Sequence, residues 1–385
     1  MISASPAAVP VTPQVSGAPR RAEPDTRSGN PLGVRSFHHI EFWVDDARAW
    51  AEHFRTGFGL QPRAYGGPET GLAGRRSHVV GQGRVNYVFT QAEGAGPEAD
   101  AVRAHLARHG NGVRDVAFRV RDAGAALAEA VRRGAKAERE VTCVPGWVAG
   151  SLHAYGDTVH SLVQRDPGAP FAPGYADIAG GIDDGDISFA MIDHVVANVE
   201  RMDEWVAFYR EVFGFDQTAH FDIRTKRSSL MSKVVGDEDG YVRLPINEPS
   251  SRNSQIQEFL DEYRGPGVQH IALLTPDIVA TVREMRRHGV KFMTAPETYF
   301  DEPQFGARVG GIKERVADLK ELGILVDRDR PDGYLLQIFT DCQFDRPTLF
   351  HEIIQRRGNS DGFGEGNFQA LFEAIEREQA RRGTL

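Results

Sequence analysis

His194-Val195-Val196-Ala197-Asn198, followed by Trp205 and Phe213-Gly214-Phe215, restates an earlier passage: His39-Ile40-Glu41-Phe42-Trp43, Trp50 and Phe58-Gly59-Leu60. The offset is 155 positions for the histidines, the tryptophans and the phenylalanines alike. It recurs downstream, where Gly112-Val113-Arg114-Asp115-Val116-Ala117 matches Gly267-Val268-Gln269-His270-Ile271-Ala272. Self-similarity at a fixed period marks a duplicated unit. The copies differ where chemistry is concerned: the first has Asp115, the second His270.

Working outward, each copy reads as strand, helix and further strands. Residues 37–44 alternate in strand fashion, and Asp45 and Asp46 offer N-cap chemistry to a helix over 47–55 that Gly57 and Gly59 end. Further strands are expected at 84–90, 113–120 and 158–165, with a helix at 123–133. The second copy predicts strands at 192–199, 242–246, 268–275 and 333–340, and helices at 202–212 and 278–288. This makes an α+β chain of four strand–helix–strands units in two pairs. Residues 1–34, rich in Pro, Ala, Ser and Arg, read as a disordered tail. The first domain is expected over 35–165, a Gly/Pro/Asp-rich linker over 166–186, and the second domain over 187–385. After Arg346 the second half adds a strand, the glycine loop Gly362-Phe363-Gly364-Glu365-Gly366 and a helix over 368–381, with no counterpart in the first half.

The chain has 385 residues, 41% hydrophobic and 26% charged, as in ordinary globular proteins. A net charge of −9 argues against a general nucleic-acid or anionic-membrane binder. No run reaches the roughly 20 apolar residues that span a bilayer. Two cysteines, Cys143 and Cys342, form no disulfide framework, which points to a reducing, cytoplasmic setting.

In the second half, His194 and His270 begin matched strands, and Glu352 lies in the strand-like Leu349-Phe350-His351-Glu352-Ile353-Ile354. Two histidines and a carboxylate on separate strands can take one face of an octahedral metal, the arrangement of non-haem Fe(II) oxygenases. Among 13 histidines most serve other roles, but the duplication singles these two out. Side chains alternate along a strand, so His351 points away from Glu352 and reads as a surface or interface residue. The first half keeps His39, has Asp115 for the second histidine and shows no evident carboxylate strand. No metal is expected there.

Several ordered motifs then resemble the 4-hydroxyphenylpyruvate dioxygenase family. They are Ile192-Asp193-His194, Pro245-Ile246-Asn247-Glu248-Pro249, Ser254-Gln255-Ile256, Gly267 through Ala272, Asp332-Gly333-Tyr334-Leu335-Leu336-Gln337-Ile338-Phe339-Thr340, and Gly362 through Phe368. The resemblance covers nearly the whole chain after the tail and is densest in the second half. It implies a vicinal-oxygen-chelate fold of four βαβββ modules in two tandem half-barrels plus a C-terminal helix. It implies one Fe(II) per subunit on His194, His270 and Glu352, O₂ as co-substrate and a small 2-oxo acid substrate. The implied reaction turns 4-hydroxyphenylpyruvate into homogentisate and CO₂ in tyrosine breakdown, by oxidative decarboxylation, ring hydroxylation and side-chain migration. A homo-oligomer, dimer or tetramer, is implied as well, with no nucleic-acid or membrane partner.

Matched positions supply further expectations. Gln337 and Gln269 would act close to the metal. Ser232, Asn247 and Gln255 would meet the phenol end, with Pro245 beside them. Phe339, Phe350, Phe363, Asn367, Phe368 and Phe372 would form the ring slot and its cover, and the glycine loop would hinge a C-terminal lid. Without the resemblance, each polar residue reads as a satisfied strand-face group and the phenylalanines as plain core. Two other readings stay open. A 4-hydroxymandelate synthase would share substrate and iron but hydroxylate the benzylic carbon; Pro245, Asn247 and Phe368 speak against it. A non-enzymatic binder of the same fold would need no iron triad. Two departures from the family pattern are His351 before Glu352 and the segment 301–315.

Overall fold

The structure, a computed structural model, describes residues 29–179, 187–224, 229–294, 299–300 and 305–383. In the first half the elements are β1 (Val34–Trp43), α1 (Ala47–Phe58), β2 (Gln61–Gly66), β3 (Arg75–Gln82), β4 (Val85–Ala92), α2 (Pro97–His109) and β5 (Gly112–Val120). There follow α3 (Ala123–Arg132), β6 (Ala137–Val144), β7 (Trp147–His153), β8 (Val159–Arg165) and β9 (Tyr175–Asp177). The second half begins with β10 (Met191–Asn198), α4 (Met202–Phe208), β11 (Asp216–Arg224), β12 (Ser229–Gly236), β13 (Arg243–Pro249), α5 (Gln255–Tyr263) and β14 (Gly267–Leu274). It continues with α6 (Ile278–Arg287), α7 (Phe305–Val309), α8 (Val316–Leu322), β15 (Leu325–Arg330), β16 (Gly333–Phe339), β17 (Phe350–Arg357) and α9 (Phe368–Arg382).

Each half is one curved mixed sheet. The orders are β6-β7-β8-β5-β1-β4-β3-β2-β9 and β11-β12-β13-β10-β14-β17-β16-β15. The repeat is visible in the pairing: β1 runs antiparallel to β5 and parallel to β4, as β10 does to β14 and β13. Along β1 and β10 the apolar side chains of one face, including Ile40, Phe42, Val195 and Ala197, enter a single core shared by both halves. The helices contribute their buried stripes to that core, for example Phe54 and Phe58 of α1 and Ile278 and Val282 of α6. The opposite, front face of each sheet is therefore left to line a cavity. Asp46, Asp122 and Asp277 cap α1, α3 and α6 by accepting backbone N–H bonds.

Three expectations need correcting. The tail expected over 1–34 is too long: residues 1–28 lie outside the described residues, but Leu32 and Val34 are buried and Val34 opens β1. Within the stretch read as linker, β9 pairs with β2, because Phe171 packs with Ala64, Val79 and Val88 and anchors the chain there; residues 180–186 lie outside the described residues. The helix expected over 202–212 is α-helical only to Phe208, and Tyr209–Phe213 follow as a π-helical turn that buries Tyr209, Val212 and Phe213. Of the unusual segment 301–315, Phe305–Val309 forms α7, and residues 301–304 lie outside the described residues. No disulfide joins Cys143 to Cys342. Among the described residues no helix is long and apolar enough to cross a membrane.

Polar side chains also join the halves. His160 of β8 is fully buried, with Nδ1 2.8 Å from the Val116 carbonyl and Nε2 2.6 Å from the Tyr209 hydroxyl. A carbonyl only accepts, so Nδ1 carries the proton and Nε2 accepts from Tyr209. Burial pushes the His160 pKa down to about 4. Above pH ~6.5 both folded and unfolded forms are neutral; below it the unfolded chain takes up a proton that the folded chain refuses. Stability is thus lost as pH falls from about 6.5 towards 4, by roughly 3 kcal/mol at the acid end. His160→Gln should lose less stability than the parent between pH 7 and about pH 4.5, read as urea midpoints. Equal losses would contradict this role for His160.

Candidate metal centre

The three expected ligands lie on neighbouring strands. His194 of β10 faces Ala272 of β14, and Ala272 faces Glu352 of β17. His270 stands two residues before Ala272 and so shares its face. The methyl of Ala272 leaves the space between His194 and Glu352 open, and the ligand atoms of His194, His270 and Glu352 lie within 4.8 Å of one another. His194 Nε2 is 3.1 Å and His270 Nε2 3.7 Å from Glu352 Oε2.

Two β-bulges aim the rings. The β10–β14 register slips between Ile192 and His194 and between Val196 and Ala197, leaving Asp193 and Gln269 as the extra residues. Each extra residue turns its acceptor to the histidine that follows. Asp193 Oδ1 is 2.8 Å from His194 Nδ1, and Gln269 Oε1 is 3.0 Å from His270 Nδ1. Both Nδ1 atoms therefore carry the proton, which leaves both Nε2 atoms facing Glu352 with lone pairs that could bind a metal. Behind them Arg356, fully buried, grips Asp193 through two bonds of 2.7 and 2.8 Å. Arg243 adds a contact of 3.4 Å.

The electrostatics suit a cation. Burial raises the Glu352 carboxyl, but His194 and His270 more than offset it and hold it at about 2. Burial likewise works against Asp193, and Arg356 and Arg243 hold it well below the usual carboxylate range. His194 loses basicity by burial and regains more from Glu352 and Asp193, so it ends raised; burial lowers His270. Glu352 Oε1 is buried without a hydrogen-bond partner. Two neutral-capable imidazoles, an ionised carboxylate and an orphaned acceptor fit a divalent metal. Among the described residues, this is the one close group of three His, Cys, Asp or Glu side chains.

The group opens into a cavity of about 590 Å³ of non-atom space, its mouth included. Phe350 stacks on His270 with ring centroids 4.8 Å apart, and Phe363 stands edge-on to His194 at 5.3 Å. Phe339, Phe368 and Phe372 line it too, with Ser232, Pro245, Asn247, Gln255 and Gln269 among the polar and turn-forming lining. Helix α9 closes it with Phe368, Leu371, Phe372 and Ile375, one helical stripe. Phe221, Ile223 and Leu230 on β11 and β12 also line the cavity. Those three escaped the sequence reading, although Phe221 and Ile223 show the period of two.

Two expected contacts lie elsewhere. Gln337 is buried on the front of β16, where the backbone of Gly364 roofs it so closely that a Cβ there would fall 2.2 Å from Nε2. Asn367 accepts from the Tyr299 hydroxyl at 2.6 Å beneath the loop. Neither lines the cavity. His351 is fully buried on the back face, 3.0 Å from the Tyr87 hydroxyl and packed against Phe54 and Phe58. It is an interface residue between the halves.

The first half does have the missing strand. Parallel pairing of β5 with β8 sets Ala117 opposite Ser161, as Ala272 is opposite Glu352. Ser161 thus stands where the carboxylate stands in the other half, and it donates both backbone N–H and hydroxyl to Asp115.

Comparison with known proteins agrees with this geometry. Residues 28–171 match the family model described as hydroxyphenylpyruvate dioxygenase, N-terminal. Residues 191–338 match that of the glyoxalase/bleomycin resistance protein/dioxygenase superfamily. The chain is 39% identical to a 4-hydroxyphenylpyruvate dioxygenase of Yarrowia lipolytica, over 97% of this chain and 100% of the relative. It is 41% identical to one of Dictyostelium discoideum, over 91% and 100%. A solved mutant of 4-hydroxymandelate synthase from Streptomyces coelicolor superposes with a TM-score of 0.80 at 32% identity, covering 90% of this chain and 99% of that one. The chain belongs to the 4-hydroxyphenylpyruvate dioxygenase family, with the vicinal-oxygen-chelate architecture.

Proposed function

We propose that this chain converts 4-hydroxyphenylpyruvate to homogentisate and CO₂ with Fe(II) and O₂, one iron per subunit, held by His194, His270 and Glu352. The observation that carries the reading is the three-ligand group at the end of an aromatic cavity. Bound there, Fe(II) supplies the redox chemistry with O₂ and the Lewis acidity that no side chain of the site possesses. The protein binds and orients. Phe339 and Phe350 flank the metal end, Phe368 and Phe372 cover the substrate ring, and Ser232, Asn247 and Gln255 address its hydroxyl. Gln255 Oε1 is a buried acceptor with no partner, which suits a phenol O–H donor. Gln269 orients His270, and α9 excludes water while the reaction proceeds. We assign Asn367, which accepts from Tyr299, to holding the glycine loop; Gln337, buried beneath Gly364 with neither amide atom hydrogen-bonded, keeps its role close to the metal.

Ring hydroxylation is favoured over benzylic hydroxylation because Pro245, Asn247 and Phe368 all face the cavity. The reading includes a cytoplasmic homo-oligomer of two or four copies acting on a free small molecule. Fe(II) titration of metal-depleted protein should saturate at one iron per chain. The loaded protein should then consume one O₂ for each CO₂ released from 4-hydroxyphenylpyruvate. Absence of iron binding, or iron binding with no O₂ uptake, would overturn it.

A further inference from the structure

The first sheet has a front cavity of its own, about 930 Å³ of non-atom space with its open mouth included. It occupies the place that the metal cavity holds in the second half. A cross-strand row runs over its floor through His39, Ala117, Ser161, Ser151 and Arg139. The matching row of the second half is His194, Ala272, Glu352 and Phe339. Where that half offers a ligand and an aromatic ring, this one offers two hydroxyls.

The cavity carries charges of both signs. At the floor stand Asp115, which is buried, and Glu41, which accepts from Thr90 at 2.7 Å. Burial pushes Glu41 up, but Arg75 and Thr90 hold it below its ordinary value, so it is ionised. Arg75, largely buried, and the exposed Arg139 also line the cavity and reach the exposed Glu98 at 3.9 and 3.1 Å. Three rings, Trp147, Phe171 and Tyr175, line it too. The cover is the 171–177 stretch that pairs with β2, as α9 covers the other cavity. Ser151 is 3% exposed and its hydroxyl has no partner. The Trp147 indole N–H also lacks one. A buried hydroxyl and a buried indole donor left unpaired in a polar hollow ask for a polar guest. A metal is not that guest, since His39, Glu41 and Asp115 do not form a close ligand group.

We propose that this cavity binds a small zwitterion, an α-amino acid with an aromatic side chain. Its ammonium faces Asp115 and Glu41, its carboxylate faces Arg75 and Arg139, and its ring lies among Trp147, Phe171 and Tyr175. The site is independent of the iron and of the reaction in the second half.

Calorimetry of the full chain with L-phenylalanine tests it. One-to-one saturable binding is expected. Phenylpropionate, without the ammonium, and phenethylamine, without the carboxylate, should each bind about 10-fold more weakly or worse, as loss of a charge-assisted contact predicts. Glu41→Gln and Arg139→Ala should weaken L-phenylalanine binding; Arg139 is exposed, so its variant carries little risk to folding. Phe368→Ala, in the other cavity, should leave binding intact. No saturation at millimolar concentration, indifference to both first-half variants, or loss in Phe368→Ala would each overturn the proposal. None of these outcomes bears on iron binding or O₂ uptake.

Discussion

His270→Ala abolishes iron binding and turnover in this account while leaving the fold in place. His270 is one of three ligands, and its Nε2 faces Glu352 across 3.7 Å. Changes to outer-shell partners alone typically cost metal affinity 10- to 100-fold; loss of a direct ligand should exceed that. The residue is a front-face group of β14, flanked by the rings of Phe350 and Phe339, so truncation leaves a small hollow and not a broken sheet. Metal affinity by titration and activity with added Fe(II) read the effect. His351→Gln is the control. That residue adjoins Glu352 in sequence yet lies on the opposite face, so iron binding should survive there even if stability falls. Retained activity in His270→Ala would show the ligand assignment to be wrong.

Arg356→Met carries the largest expected effect on stability. Arg356 is fully buried, and Asp193 is 1% exposed. Removing the guanidinium leaves the carboxylate with the His194 Nδ1–H bond of 2.8 Å and, as its one remaining cationic neighbour, Arg243 at 3.4 Å. Breaking a buried pair from one side typically costs about 3–5 kcal/mol, because an uncompensated charge stays behind. Two further losses follow. Asp193 no longer sits firmly behind His194, and the Gly362 carbonyl loses the 2.6 Å bond that ties the glycine loop to β17. The denaturant midpoint should therefore fall and iron affinity with it. Adding Asp193→Asn to Arg356→Met should recover part of the stability, since the orphaned charge is gone. A single variant as stable as the parent would mean that the pair does not hold the site.

Much of the architecture was legible in the sequence because its informative residues lie in strongly apolar, periodic stretches. The strands carrying His39, Asp115, His194 and His270 sit at the centre of their sheets with one face in the core, so alternation marks them. The 155-residue offset then exposed the duplication. The candidate group His194, His270 and Glu352, which the structure brings together, stood out through the duplication and the family resemblance rather than through spacing. Outer strands were harder. β11 alternates half-buried Phe221 and Ile223 with exposed His220 and Asp222, and such a pattern is weak without the sheet beside it. Bulges were invisible as well. Asp193 precedes His194 and by simple alternation should point away; only the register slip turns it inward. Arg356 carries no signal of its own in the sequence. Its burial follows from a partner 163 positions away, which spacing does not report. In the first half, Ser161 went unnoticed as the counterpart of Glu352 because a hydroxyl does not resemble a carboxylate; the β5–β8 register identifies it.

The central claim is that His194, His270 and Glu352 hold an iron beside a slot that presents the substrate ring for hydroxylation. Product identification from 4-hydroxyphenylpyruvate with Fe(II) and O₂ tests it most directly. Homogentisate, formed by the parent chain and lost in His270→Ala, is the predicted result. 4-Hydroxymandelate as the main product, or no product from an iron-loaded chain, would contradict it.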